Sequence, residues 1–358
     1  METSGYRKKI LRAKLATIGW VFVFLGLAHA YWWTMTNHVI SDFWDPQFSM
    51  KEVYLKARIA EMPGRPLWLM LGSSRVKFGI SPLVMMERIR GENAPLIFNF
   101  GFGGADLYRN YVTLRRVIAD GVKPKRVGID IIQPFLSCSQ SELVEPAVLI
   151  TRARREELDD LCKFSLLPGE QIRGIWSRSR INPFFKGSET MPRLTRSWRL
   201  VQIPYFWRFE MEKDAYDKWG WCGDRPAPIP RAEYLDKLAL AKRMFRQNFT
   251  DFKISDYSER SLRKILDLCH EQGIEAFLSL MPEGPDFQAF YSAKDNEVVD
   301  LFLTRIQNEY GIKMINARSW IGTEGFTDGH HLNMTGAKEF SLRFADELSK
   351  MDATVPRR

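Results

Sequence analysis

The chain has 358 residues, 45% hydrophobic and 27% charged, enough apolar material for a large core and too regular for a disordered or collagen-like polypeptide. Four widely spaced cysteines (Cys138, Cys162, Cys222, Cys269) exclude a disulfide-stapled scaffold and a CxxC zinc site, and five histidines leave little for a metal cluster. The net charge of +9 invites a nucleic-acid reading, but residues 1–14 hold +4 and the last seven hold +1, which leaves about +4 for the body and removes the main support for that reading.

The first segment places Arg7, Lys8, Lys9, Arg12 and Lys14 against a single acid, Glu2. Leu15 to Met35 then runs 21 residues without a charged side chain, His29 being the one titratable exception. As a helix it spans about 32 Å against a hydrocarbon core of about 30 Å. Tyr31, Trp32 and Trp33 stand at its far end, where an aromatic belt meets the interface. The basic flank predicts the N-terminus in the cytoplasm and everything after about residue 36 outside. Ala28-His29-Ala30 also fits a signal-peptide cleavage site, but the apolar run continues through three aromatics, which suits a retained anchor better. Either reading exports the rest of the chain. The expected organisation is a cytoplasmic basic arm (1–14), a transmembrane anchor (15–35), a stalk (36–65), one α/β domain (66–350) with an insertion at about 140–230, and a tail (351–358).

In the body, an amphipathic helix is expected at about 49–62, followed by a buried strand over Pro66-Leu67-Trp68-Leu69-Met70-Leu71 that ends in Gly72-Ser73-Ser74-Arg75. A helix at about 81–91 leads to a second strand, 96–100, closed by Gly101-Phe102-Gly103-Gly104. A helix at about 105–120 precedes a third strand, 125–132, broken by Gln133-Pro134. Strands alternating with helices at this pitch predict βαβ units and a parallel sheet. Residues 140–230 lack a clean period, and 151–200 hold 11 Lys/Arg against 6 Asp/Glu. This stretch reads either as a cap on the sheet's active edge, facing lipid headgroups or an anionic polymer, or as an irregular surface excursion laced with Arg–acid pairs. Regular rhythm returns with helices at about 231–249 and 257–272, a strand at 274–280, a helix at about 293–309, a strand at 313–316 and a final helix at about 335–350.

Ligands of an open parallel sheet bind beyond the carboxyl ends of its strands. Ser74 follows the first strand, and a serine hydroxyl becomes a useful nucleophile only when a base takes its proton. His331 lies after the last strand, three residues beyond Asp328. A tight D-x-x-H turn can bring the carboxylate to one ring nitrogen, fix the tautomer and leave the other nitrogen for the serine. Oxyanion donors are then expected from the Ser74 amide, from the Gly103-Gly104 turn and from the side chain of Gln133. Arg75 and Glu283, both at strand ends, are placed among the residues lining the site, with a helix anchor the plain alternative for Arg75 and an ion pair to an arginine that for Glu283. His330 is read as supporting or exposed, and Asp106 and Asp130 as structural. Gly101–Gly104 fails as a dinucleotide loop, because the third glycine of G-x-G-x-x-G would fall at Asp106.

G-S-S at the first strand, N-x-G-x-x-G (Asn99, Gly101, Gly104) at the second and D-x-x-H before the last helix together resemble the blocks of the SGNH/GDSL hydrolases. The N-terminal anchor, GSSR in place of GDS, and DGHHLN before a Gly-Ala helix are similar to the membrane-anchored DltD-like and AlgX/AlgJ-like branches. The resemblance implies a flavodoxin-like, three-layer α/β fold with Ser74 as nucleophile, Gly104 as oxyanion glycine, and Asp328 and His331 as the acid–base pair. It further implies a cell-envelope glycan or teichoic-type polymer as acyl acceptor, a membrane-bound O-acyltransferase as partner, and no metal or other cofactor. Two blocks depart from the family pattern: Ser73 replaces an aspartate, and Ile131-Ile132-Gln133-Pro134 stands where G-x-N-D is expected. The reading drawn from the sequence is therefore an anchored, extracytoplasmic serine O-acyltransferase that transfers an acetyl-type group. A carbohydrate esterase or deacetylase of the same fold, and a catalytically inactive accessory protein of an envelope complex, are its alternatives.

Overall fold

The computed structural model describes residues 3–35, 44–91, 94–137, 146–165, 167–181, 216–223, 228–250 and 252–353. The first residues of the expected stalk (36–43), much of the insertion, Cys138 and the last residues of the tail lie outside them.

Helix α1 (Thr3–Thr34) contains an apolar stretch, Lys9–Tyr31, long enough to cross a bilayer and with none of it buried in the protein. Trp20, Phe22, Phe24 and Leu27 are all exposed, so the helix is apolar all round, the composition that lipid rather than water solvates. This is one N-terminal span by length and composition, which either an anchor or a signal sequence satisfies.

The body is built on five parallel strands: β1 (Leu67–Leu71), β2 (Leu96–Asn99), β3 (Arg126–Asp130), β4 (Glu275–Leu280) and β5 (Lys313–Asn316). Their order is β2-β1-β3-β4-β5. That is the flavodoxin-like order, with its switch point between β1 and β3. Register is fixed by burial on both faces. Leu67, Leu69 and Leu71 enter one core with Phe98, Val127 and Ile129, while Trp68 and Met70 enter the other with Ile97 and Phe277. A slip of one residue would exchange these sets.

Helices α2 (Pro46–Glu61), α3 (Ser74–Gly79), α4 (Pro82–Arg88), α5 (Leu107–Ala119) and α6 (Gln133–Leu136) accompany the first three strands. The expected strands all appear, each trimmed by at most two residues at an end. Short α6 is an addition, because four residues are too few for a helical period to show.

The described residues of the insertion between 146 and 181 are largely helical rather than irregular: α7 (Pro146–Arg152), α8 (Leu158–Phe164) and α9 (Gly169–Ile181). Ile150, Leu161, Phe164 and Ile172 join the same core as α5. One of its acids, Glu157, turns inward as well. Arg116 of α5 pairs with Glu157 and with Asp45 at 2.6 Å, and Arg109 pairs with Asp45 at 2.6 Å, all four side chains being buried. Helices of seven residues, as α7 and α8 are, are too short for a clean apolar period to announce them.

The chain then continues through α10 (Arg231–Met244), α11 (Asp256–Glu271), α12 (Pro285–Gln288), α13 (Ala293–Tyr310) and α14 (Met334–Ala353). Helices α5, α11 and α13 cover one face of the sheet; α10 and α14 cover the other.

Candidate active site

β1 ends at Leu71, and Ser73 caps α3 by accepting the Arg75 N–H on its side-chain oxygen at 3.1 Å. Ser74 is therefore the first residue of the helix, at the carboxyl end of the strand beside the switch point. Ser73 caps this helix start as serine commonly does.

The β2 end is tied to this turn by Asn99. Its Nδ2 donates to the carbonyls of Val76 and Ile80, both at 2.7 Å, and its Oδ1 accepts the Gly101 N–H at 2.9 Å. A Cβ on Gly101 would lie 2.5 Å from the Lys77 nitrogen and 2.9 Å from the Ser73 oxygen, so the two loops touch because residue 101 has no side chain. Gly104 follows on the same loop at φ +68°, exposed to solvent.

The third component is the turn Thr327–His331. An antiparallel bridge between Phe326 and Leu332 closes it, and the Thr327 N–H donates to the His331 carbonyl at 2.9 Å. Within the turn, Asp328 Oδ1 accepts the backbone N–H groups of His330 (3.1 Å) and His331 (2.8 Å). Gly329 sits at φ +87°, where an added Cβ would also lie 2.8 Å from Leu238 Cδ1. Glycine is thus required there twice over.

These three components converge. His331 Nδ1 lies 2.6 Å from Asp328 Oδ2, and His331 Nε2 lies 2.7 Å from Ser74 Oγ. The carboxylate holds the proton on Nδ1, which leaves Nε2 as an acceptor for the serine hydroxyl. Burial acts to raise the Asp328 pKa, but the two histidines and the hydrogen bonds from His331 outweigh it and hold the carboxyl well below its usual range. Phe78 places its ring edge-on to His331, with centroids 5.6 Å apart. Sequence reasoning did not single out Phe78, and a lone aromatic on a six-residue helix carries no signal of such a contact.

The other expected site residues fall differently. Arg75 and Glu283 do not line an open surface. They are 2% and 1% exposed and pair with each other at 2.8 Å, the guanidinium also donating to the Met281 carbonyl. Tyr291 donates to Glu283 at 2.9 Å and Arg318 approaches it at 3.4 Å. Gln133 is fully buried; its Oε1 accepts from Arg318 at 2.6 Å, and its Nε2 has no acceptor. Arg75, Glu283, Tyr291, Arg318 and Gln133 are thus linked to one another.

Asp130 completes this layer. Burial pushes its pKa up to about 6 in spite of the Arg75 charge. His330 is stacked on Phe287 at 5.0 Å, and burial together with the neighbouring His331 brings its pKa down to about 3. Among the described residues, Asp328, His330 and His331 bring ligand-type atoms within 4.8 Å of one another. His331 Nδ1 and both carboxylate oxygens are, however, already engaged in the hydrogen bonds above. Cys222 is buried.

A protein-family profile matches residues 228–352, which takes in Asp328 and His331 but not Ser74. No curated protein matches the chain. Among solved structures, the chain is similar to a GDSL-like lipase from Bacteroides thetaiotaomicron, at 10% identity and a TM-score of 0.34, covering 84% of this chain and 99% of that one.

Proposed function

We propose that this protein is a membrane-anchored, extracytoplasmic serine O-acyltransferase that passes an acetyl-type acyl group to a cell-envelope glycan or teichoic-type polymer, working with a membrane-bound O-acyltransferase. The observation that carries the reading is the continuous chain from Asp328 through His331 to Ser74, with contacts of 2.6 and 2.7 Å.

In the first half-reaction, His331 Nε2 takes the Ser74 proton as Oγ attacks the acyl carbonyl. The backbone N–H of Ser74, which as the first residue of α3 has no intrahelical acceptor, and that of Gly104 are the donors for the oxyanion. Collapse expels the donor's alcohol or thiol with the proton from His331 and leaves an acyl ester on Ser74. In the second half, His331 deprotonates the acceptor hydroxyl, which attacks the ester, and the proton returns to Ser74 Oγ. Asp328 holds the imidazole tautomer and stabilises the imidazolium formed in each half. The sequence supports the placement: a basic arm ahead of an apolar span favours a cytoplasmic N-terminus and an exported body.

The test is labelling of the purified full-length protein with a serine-reactive fluorophosphonate, beside Ser74→Ala and His331→Ala. Labelling of the wild type that both substitutions abolish is expected. A folded wild type that stays unlabelled, alone and after co-expression with its membrane partner, overturns the enzyme reading in favour of an accessory protein. Turnover of small acetyl esters by the isolated protein at enzymatic rates, with no transfer to a sugar hydroxyl, converts the transferase into an esterase.

A further inference from the structure

Lys51 lies on α2, a helix from which Phe48 and Leu55 enter the core, and it is itself 0% exposed. Among the described residues no carboxylate meets its ammonium. Instead Nζ donates to three backbone carbonyls: Asn99 at 3.0 Å, Gly101 at 2.7 Å and Gly220 at 2.9 Å. Three donors on three acceptors is the full capacity of a lysine ammonium. Burial and the neighbouring Lys77 charge draw its pKa down. The carbonyls oppose that, since a neutral amine has only two hydrogens and would turn its lone pair on the third oxygen. The rings of Tyr216 and Phe102, 4.8 and 5.3 Å away, add favourable faces for the cation.

The three carbonyls belong to two segments far apart in the chain. Asn99 and Gly101 form the start of the glycine turn after β2, and Gly220 belongs to residues 216–223, the returning limb of the insertion. That limb is knitted to the Ser74 helix and to β2 by further bonds. The Asn99 N–H donates to the Trp219 carbonyl, the Cys222 N–H to the Lys77 carbonyl, and Trp221 Nε1 to the Phe78 carbonyl at 2.7 Å. Gly220 stands at φ +81°, where a Cβ would lie 2.2 Å from the Asn99 oxygen. The contact with the turn is therefore as close as backbone allows, and it leads through Phe78 to the ring of His331.

We propose that Lys51 is a positioning residue for the acyl site: through the carbonyls of Asn99, Gly101 and Gly220 its ammonium holds the glycine turn and the returning limb of the insertion against the helix that carries Ser74. Truncating it removes the shared donor and leaves three buried carbonyls facing one another. The oxyanion loop and the wall beside Phe78 then lose their common anchor, while Ser74, His331 and Asp328 keep their own contacts. The inference rests on reading Ser74 as the nucleophile.

The experiment measures the rate and saturation constant of fluorophosphonate labelling for the full-length wild type, Lys51→Met and Lys51→Ala, the last with added propylammonium or 1-propanol. A fall in the limiting rate of at least about 30-fold in both variants, with the saturation constant changed less than threefold, is expected. Propylammonium should restore at least tenfold to Lys51→Ala, and 1-propanol should not. Labelling of Lys51→Met within threefold of wild type, or equal rescue by the neutral alcohol, overturns the proposal. Should neither variant fold, amide exchange of the wild type decides. Peptides covering 99–104 and 216–223 as protected as α3 support the clamp, and a freely exchanging limb overturns it. A wild type that never labels defeats the reading of Ser74 instead, and the exchange measurement still judges the clamp.

Discussion

Two pairs of sequence neighbours have opposite fates. Ser74 is half-buried and reaches His331, while Arg75, the next residue, is buried and pairs with Glu283. His331 faces Ser74, while His330 is stacked on Phe287. The upper layer is short, neutral except for Asp328, and reachable by a ligand. The lower layer is ionic and closed, with Arg75, Glu283, Arg318 and Asp130 meeting in a low-dielectric space. A reactive hydroxyl needs a floor that does not move when charge develops above it, and the hydrogen-bonded group of Arg75, Glu283 and Tyr291, with Asp130 adding its charge beside Arg75, supplies one. The upper layer is thus expected to set rate and the lower layer stability, and substitutions can separate the two.

The largest separation is expected at Asp328. Asp328→Asn keeps the size of the turn but allows the wrong imidazole tautomer, so the limiting rate of Ser74 acylation should fall about 10⁴-fold. Thermal unfolding of the same variant should change little; a melt lowered as severely as the rate would mean that Asp328 is mainly a structural cap. Glu283→Ala reverses the pattern. It strands Arg75 without its carboxylate and should cost about 3–5 kcal/mol in urea unfolding, while whatever remains folded still labels at Ser74.

Asp130 sharpens the comparison through pH. Its pKa is raised from 3.8 to about 6 in the folded protein, so the native state binds its proton more tightly than the unfolded chain does. This group's contribution is most favourable below pH 4 and is lost as pH rises toward 6, a swing on the order of 3 kcal/mol. Asp130→Asn should remove that slope and raise the melting temperature at pH 8 relative to wild type; an unchanged slope between pH 4 and 7 would show that another group titrates there. The smallest effect is expected at Ser73, whose oxygen caps α3. Ser73→Ala should cost about 1 kcal/mol of unfolding free energy, measured in urea, with labelling preserved.

Much of this was legible before any coordinates. The first two strands announced themselves because a strand buried on both faces is a short continuous apolar run, as in Leu67–Leu71 and Leu96–Phe98. Ser74, Asp328 and His331 were legible because they sit at strand ends in a fixed order, where loops carry chemistry. The roles of Arg75, Glu283 and Gln133 were not. A polar residue at a strand end looks the same in sequence whether it faces a ligand or another polar residue. Glu283 meets Arg75 across 208 positions, and Gln133 meets Arg318 across 185. Lys51 was less visible still, since backbone carbonyls, its partners, leave no trace in residue identity.

The sequence by itself determined the apolar N-terminal span, the alternation of strands and helices, and the residue types able to activate a serine. These depend on local composition and period, which one chain displays in full. Only the tertiary structure decided that Ser74 and His331 meet at 2.7 Å, that Arg75 turns inward, and that the insertion's return limb lies against the glycine turn. Contacts between residues hundreds of positions apart are set by how the layers pack and which polar groups must be satisfied once water is gone, and no local pattern records that choice.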